Sequence, residues 1–143
     1  MIGQQHPQIV HVPGGALDLS AAEEAIELAE AYGPPLDEAQ KIALRVGMAL
    51  TPMGRWACST MSHCVPRQNG KGDVLQHREL WGLVVRAERI IHTAHEYPTA
   101  SQAFLRMQAT ISGNAELALL VQREILAHGE QGYEFTNGGA IMS

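Results

Sequence analysis

Residues Val65 to Gly72 read VPRQNGKG, and this stretch decides which fold the chain is expected to have. A standard phosphate-binding loop reads G-x-x-x-x-G-K-[ST], in which glycines form a tight turn, the lysine reaches the phosphates and the hydroxyl binds Mg²⁺. Gly70 and Lys71 fit that pattern, whereas Val65 replaces the first glycine and Gly72 replaces the hydroxyl residue. The stretch is therefore either a degenerate phosphate loop or an exposed turn that contains a lysine.

The composition is typical of one globular domain. A chain of 143 residues can bury a genuine hydrophobic core without disulfides or metals. Its 45% hydrophobic and 17% charged residues argue against disorder and against a fibrous repeat. The sequence has no apolar run near the ~18 residues of a membrane span and no secretory pattern at its start, so the cytosol is the expected compartment.

Charge separates the first forty residues from the rest. Residues 1–40 carry seven acidic side chains and no Lys or Arg, whereas residues 41–143 carry ten basic and eight acidic side chains. The second part is therefore only net +2, which does not predict a basic surface for nucleic acid. Charge alone gives no argument for direct DNA binding.

An arm and a helical segment are expected ahead of the loop. Residues 1–19 contain Pro and Gly without periodicity and predict a flexible arm. Residues 20–47 predict two helices. At the first of these, Ser20 and Glu23 have capping-box spacing, and Gly33 is expected to end the helix in the left-handed conformation.

Around the loop, strands and helices are expected to alternate. β-capable residues from Trp56 to Val65 predict a strand that Pro66 ends. The expected elements then follow in order: a helix at 70–86, a strand at 90–94, helices at 98–107 and 115–127, and a hairpin of 133–135 with 140–142 around Asn137-Gly138. This alternation predicts an α/β fold with a parallel sheet and crossover helices, in which the helix at 70–86 joins two parallel strands.

That order favours the phosphate-loop interpretation. A phosphate loop leaves a strand and enters a helix whose N-terminal N–H groups and dipole hold the anion. Arg67 supplies a second cation that is able to stabilise charge on a transferring phosphoryl group. The glycine at position 72 weakens the case for Mg²⁺ ligation by the loop itself.

Several ordered motifs make the sequence recognisable. PRQNGKG at 66–72 is preceded by LDEAQ at 36–40 and followed by three runs: RELWGL at 78–83, IIHTAHEYPTASQAFLRM at 90–107 and GYEFTNGGAI at 132–141. Over roughly residues 20–143, this series resembles the ATPase domain of large terminase subunits from tailed bacteriophages. In that family a PRQNGK loop replaces the usual glycine pattern, so Val65 and Gly72 match the family.

The resemblance implies a role for each loop residue. Lys71 would bind the β- and γ-phosphates and Arg67 would sense or stabilise the γ-phosphate, which makes these two the expected catalytic residues. The cradle around the nucleotide would be formed by Pro66, Gln68, Asn69, Gly70 and Gly72. The implied cofactors are ATP and Mg²⁺. The implied fold is P-loop NTPase-like, with residues 48–143 as the N-terminal part of the ATPase domain.

Gln40 has two possible roles. It stands at the capping-box position after Asp37, at the start of a second helix that is expected to run to Gly47. The resemblance instead implies that Gln40 is the glutamine that reads adenine ahead of the loop, and both interpretations stay open.

The resemblance also limits the expected activity. ATP hydrolysis in such motors needs an apolar strand that ends in Asp, followed by a Glu that activates water. No apolar run followed by Asp-Glu occurs after residue 72. The chain is therefore expected to be a truncated, ATP-binding part of a DNA-packaging motor that does not hydrolyse ATP alone. The implied setting is a ring homo-oligomer on the procapsid in the host cytoplasm, with double-stranded DNA, the portal protein and the small terminase subunit as partners.

Two other functions compete with this prediction. The first is a metal-binding module that uses Cys58, Cys64, His63, His77, His92 and His95, although a C-x5-C spacing matches no common zinc pattern. The second is a non-catalytic scaffold or interaction module that keeps the fold without binding ATP. Nucleotide affinity separates the scaffold from the motor.

Overall fold

The computed structural model describes residues 6–66, 69–127 and 130–143. Within these residues the elements are α1 (Ser20–Tyr32), α2 (Glu38–Gly47), α3 (Lys71–Val84), β1 (Arg89–Ile91), α4 (Tyr97–Ser112), α5 (Ala115–Leu120), β2 (Val121–Ala127), β3 (Glu130–Phe135) and β4 (Ala140–Met142). The chain divides into two compact units, Met1–His77 and Arg78–Ser143. We call them the first unit and the second unit.

Helix α1 begins where the sequence predicts, but through a different contact. The backbone N–H of Ser20 donates to Asp18 Oδ1 at 2.8 Å, and the N-cap residue is Leu19, whose side chain makes no capping hydrogen bond. The predicted box of Ser20 with Glu23 is therefore wrong. Gly33 follows α1 with φ −147° and ψ −175°, so it is extended and the left-handed prediction is also wrong. The residue before a proline is pushed to extended backbone, and Pro34 follows Gly33.

Helix α2 confirms the second capping box. Asp37 Oδ1 accepts from the Gln40 backbone N–H at 2.8 Å, and Gln40 Oε1 accepts from the Asp37 backbone N–H at 2.8 Å. The helix ends at Gly47 as predicted. Arg45, in its last turn, forms an ion pair with Glu23 of α1 at 2.7 Å.

The strand predicted at 56–65 is wrong. Residues 57–66, all of which the structure describes, form bends and irregular backbone, and Leu50 makes isolated bridges to Asp18 and Trp56. Every side chain from 57 to 66 is exposed or only partly buried. Strand-forming residues need a pairing partner and a buried face. Apart from the bridge of Trp56 with Leu50 and the hydrogen bond from the Ala57 N–H to the Ala49 carbonyl oxygen, this segment pairs with no strand among the described residues, and none of its side chains is fully buried. Irregular backbone therefore precedes the loop.

The second unit is an α/β arrangement with a four-stranded mixed sheet in the order β1-β4-β3-β2. Strand β1 pairs with β4 in parallel, whereas β4 with β3 and β3 with β2 are antiparallel. The α/β class is confirmed, but the sheet is mixed, and the predicted parallel pairing occurs only between β1 and β4. The parallel partner of β1 is the last strand of the chain, not a strand ahead of the loop.

The C-terminal hairpin is confirmed and the preceding helix is shorter than predicted. Strands β3 and β4 flank the turn at Asn137-Gly138, where Gly138 has φ +95°. Asn137 Nδ2 donates to the carbonyl oxygens of Leu83 and Val84, at 2.8 and 3.0 Å. The helix expected at 115–127 ends at Leu120, and β2 occupies the remaining residues. Pairing with β3 decides this segment, because its short apolar pattern fits either element.

No helix among the described residues has both the length and the apolar character that a membrane crossing requires.

Candidate functional site

The candidate site is the start of α3. Gly70 has φ +67°, and its carbonyl oxygen accepts from the backbone N–H groups of Asp73 and Val74 at 3.1 and 3.3 Å. Lys71 is the first helical residue. The helix therefore begins directly after a left-handed glycine, and its first backbone N–H groups lie at the end of the loop.

Gly70 cannot be replaced without disturbing its neighbour. A Cβ built on Gly70 would collide with Gln40 Nε2. The positive φ also disfavours any residue with a side chain. The positive φ therefore favours glycine at this position, and a side chain here would also displace the end of Gln40 from its present contacts.

Gln40 joins α2 to the loop. Besides its part in the capping box, Gln40 Nε2 donates to the carbonyl oxygen of Gly70 and to Asp73 Oδ2, both at 3.3 Å. These distances are at the long end for hydrogen bonds. The same side chain thus contacts Asp37, the N-cap residue of α2, on one side and the start of α3 on the other.

The charges at the start of α3 are mixed. Lys71 is exposed, and among the described residues its ammonium has no hydrogen-bond or ion-pair partner. Asp73 places a carboxylate in the first helical turn, where a negative charge interacts favourably with the helix dipole. A bound anion would gain from Lys71 and from the helix dipole, and it would meet one opposing charge at Asp73.

The structure describes some of the predicted loop residues and not others. Pro66 and Asn69 are exposed and Gly72 is partly buried beside Lys71. Arg67 and Gln68 lie outside the described residues, so their predicted roles remain predictions.

The donor set fits phosphate better than Mg²⁺. A helix start with a neighbouring lysine is a common anion site, because its N–H groups point towards the ligand. Gly72 has no side-chain oxygen for a cation. In the ranges that the structure describes, no three His, Cys, Asp or Glu side chains come together in a way that could hold a metal ion.

The residues of the metal-module alternative are found in separate surroundings. Cys58 and Cys64 are free, the first partly buried and the second exposed. His77 is 4% exposed, and its Nδ1 has no hydrogen-bond partner among the described residues. His92 is paired with a carboxylate instead of a second histidine.

That carboxylate, Glu79, was not singled out from the sequence. His92 Nδ1 lies 2.6 Å from Glu79 Oε1, and both side chains are about nine-tenths covered, with exposures of 13% and 14%. Burial raises the pKa of Glu79, while the hydrogen bond from His92 opposes that rise. The pair lines a cavity of about 10 Å³ in the second unit, which has room for about one water molecule. Thirteen residues separate the two groups in the chain, and no spacing rule links them.

A comparison with protein-family models, with curated proteins and with solved structures finds no significant match to this chain.

Proposed function

We propose that the chain binds the phosphates of ATP at the start of α3 and is the ATP-binding part of a DNA-packaging motor of the large-terminase type. The observation that carries the proposal is the start of α3 at Lys71, directly after the left-handed Gly70. A helix start supplies backbone N–H donors, and the adjacent ammonium supplies a charge for the outer phosphate oxygens.

The position of Gln40 supports the same proposal. LDEAQ and PRQNGKG are separated by 25 residues in the sequence, and both belong to the series that resembles terminases. The hydrogen bonds from Gln40 to Gly70 and Asp73 bring these two motifs together. An exposed turn that merely contained a lysine would not require such a contact.

The proposal includes the cofactors and setting of such motors. Mg²⁺ would accompany ATP, and the proposal assigns no residue of the loop as its protein ligand. Double-stranded DNA, the portal protein and the small terminase subunit would be the partners of a ring on the procapsid, in the host cytoplasm.

A titration with ATP tests the phosphate site. Lys71→Ala should weaken binding at least about tenfold, equivalent to about 1.4 kcal/mol. The matched control is Lys41→Ala, because Lys41 is the other lysine of the chain and forms an ion pair with Glu30 at 2.6 Å. Isothermal titration should show that the control keeps wild-type affinity. Equal affinities for wild type and Lys71→Ala would reject the site, and a complete lack of ATP binding would favour the scaffold alternative.

A second experiment separates binding from turnover. The sequence has no apolar run followed by Asp-Glu after residue 72, so the groups that bind Mg²⁺ and activate water are missing. Phosphoryl transfer depends on positioning and on charge stabilisation, and we expect no phosphate release above background. Robust hydrolysis by the wild type that Lys71→Ala abolishes would contradict this expectation. It would show that other residues of the chain bind Mg²⁺ and activate water.

A further inference from the structure

The hydrogen bonds of Gln40 fix the orientation of its amide. The Asp37 backbone N–H is a donor, so the atom that faces it must be Oε1. Nε2 then faces the Gly70 carbonyl oxygen and Asp73 Oδ2, which are both acceptors. An amide flipped end for end would oppose a donor to a donor and an acceptor to two acceptors, so the network permits one orientation.

This arrangement leaves little capacity for a nucleotide base. An amide has two N–H donors, and both are directed at the start of α3. Recognition of adenine by glutamine uses the amide as donor and acceptor together, at N7 and N6 of the base. Gln40 could offer that pair of bonds only after releasing Gly70 and Asp73.

We propose that Gln40 is a positioning residue that clamps the phosphate loop, and that it does not read the adenine base. The inference rests on the proposed function. The clamp holds the carbonyl oxygen of Gly70, which also accepts from the N–H groups of Asp73 and Val74. It therefore fixes the left-handed glycine and the direction in which α3 presents Lys71. The capping box anchors the clamp to α2.

A ligand without a base separates the two roles. Tripolyphosphate, ATP and GTP are titrated against wild type, Gln40→Ala and Asp37→Ala. Gln40→Ala should weaken all three ligands by a common factor of about fivefold or more, because it removes two contacts to the start of α3. Asp37→Ala removes only the bond from the Gln40 backbone N–H to the Asp37 carboxylate. It keeps the backbone N–H that anchors Gln40 Oε1 and both contacts to the start of α3, so its affinities should stay within about twofold of wild type.

A charge swap provides a rescue. Gln40→Glu keeps the side-chain oxygen of the capping box but turns the donor towards α3 into an acceptor, which opposes Asp73. Gln40→Glu combined with Asp73→Asn restores a donor and acceptor pair at position 73 with the wild-type net charge, while the Gly70 carbonyl oxygen still faces an acceptor. Tripolyphosphate affinity should fall in the single variant and recover only in part in the double variant. A double variant with the full affinity of wild type would contradict the clamp on Gly70.

Two further outcomes would overturn the proposal. If Gln40→Ala weakens the binding of ATP alone and leaves the binding of tripolyphosphate unchanged, Gln40 reads the base.

If wild type binds none of the ligands, the proposed function fails, and hydrogen exchange of the free protein still decides whether Gln40 clamps the loop. The amides of Asp73 and Val74, which bond to Gly70, should exchange about tenfold faster in Gln40→Ala and not in Asp37→Ala. Unchanged exchange would reject the clamp whether or not a ligand binds.

Discussion

The buried side chains of the two units differ in kind. Among the described residues of the first unit, half of the buried hydrophobic residues are alanines: Ala21, Ala22, Ala25, Ala29, Ala43 and Ala49, beside Ile26, Leu36, Leu44, Met48, Leu50 and Val74. Those that the structure describes in the second unit are all large: Leu80, Trp81, Leu83, Phe104, Met107, Ile111, Leu117, Tyr133, Phe135 and Ile141. Alanine allows helices to approach closely but removes little apolar area from water.

This difference indicates where polar contacts matter most. Hydrophobic stabilisation scales with buried apolar area at about 25 cal/mol per Å². The first unit therefore gains less from each buried residue, and the capping box of α2, the Arg45 ion pair and the Gln40 contacts make up a larger share of its stability. The candidate phosphate site lies in this unit, where the loss of a single hydrogen bond should matter most.

The largest test of the comparison uses the two tryptophans, one in each unit. Trp81 is 1% exposed, with the guanidinium groups of Arg78 and Arg86 each 5.4 Å from its ring centre. Trp81→Ala should cost about 3–5 kcal/mol, because it leaves a large cavity in the second unit. Trp56 is 37% exposed, and Trp56→Ala should cost less than about 1 kcal/mol. Urea unfolding followed by circular dichroism measures both. Similar costs for the two variants would contradict the comparison.

Local signals predicted some element ends and missed others. The box of Asp37 with Gln40 and the Asn137-Gly138 turn were correct, whereas the box of Ser20 with Glu23 and the left-handed Gly33 were wrong. The strand at 56–65 was wrong and the helix at 115–127 ends at Leu120, because pairing between segments decides both. Residues 121–127 become a strand by pairing with β3, and residues 57–66 have no such partner among the described residues.

The site was predictable in part for the same reason. Gly70 and Lys71 stand in a recognisable pattern at a helix start, and the structure confirms that start. The contact of Gln40 with Gly70 spans thirty residues and does not follow from the spacing of either motif. The pairing of Glu79 with His92 depends on how α3 packs within the second unit, which a single sequence does not specify.

A second test concerns the partnered buried group, Glu79. Burial has the largest effect and raises the pKa of this carboxyl above the ordinary value of 4.5. Interactions with His92, Arg78 and Arg106 lower the pKa but do not cancel that rise. The folded state then binds the proton more tightly than the unfolded state. The contribution of Glu79 to the stability of the second unit should therefore be fully present below about pH 4.5 and should be lost as pH rises through the folded pKa.

Glu79→Gln tests that slope. The variant should lose this part of the pH dependence and keep, near neutral pH, the stability that ionisation of Glu79 removes from wild type, because an amide does not ionise. Urea unfolding between pH 4 and 8 measures both effects, and Glu96→Gln, at an exposed position with no described ion pair, is the control. An unchanged slope in Glu79→Gln would show that the pair does not control the pH dependence.

The smallest effect is expected at the unpartnered buried group of the first unit. A Cβ on Gly33 would lie only 3.2 Å from His77 Cε1, so this imidazole is packed closely against the end of α1. Burial lowers the pKa of His77 below its ordinary value of 6.5, and the charge of Asp73 opposes that shift. The unfolded state therefore takes up the proton first, and stability present above about pH 6.5 should be lost as pH falls through the folded pKa. This slope is opposite in sign to that of Glu79.

His77→Leu should remove the pH dependence that His77 causes and change the free energy of unfolding at neutral pH by less than about 1 kcal/mol, because the lost group has an unsatisfied nitrogen. Hydrogen exchange, measured as a function of pH, gives the stability of each unit in His77→Leu. His11→Leu, at an exposed position, is the control. If the first unit still loses the same stability at low pH in His77→Leu, His77 is not the cause of that loss. The difference between the paired Glu79 and the unpaired His77 then does not explain the pH dependence of the two units.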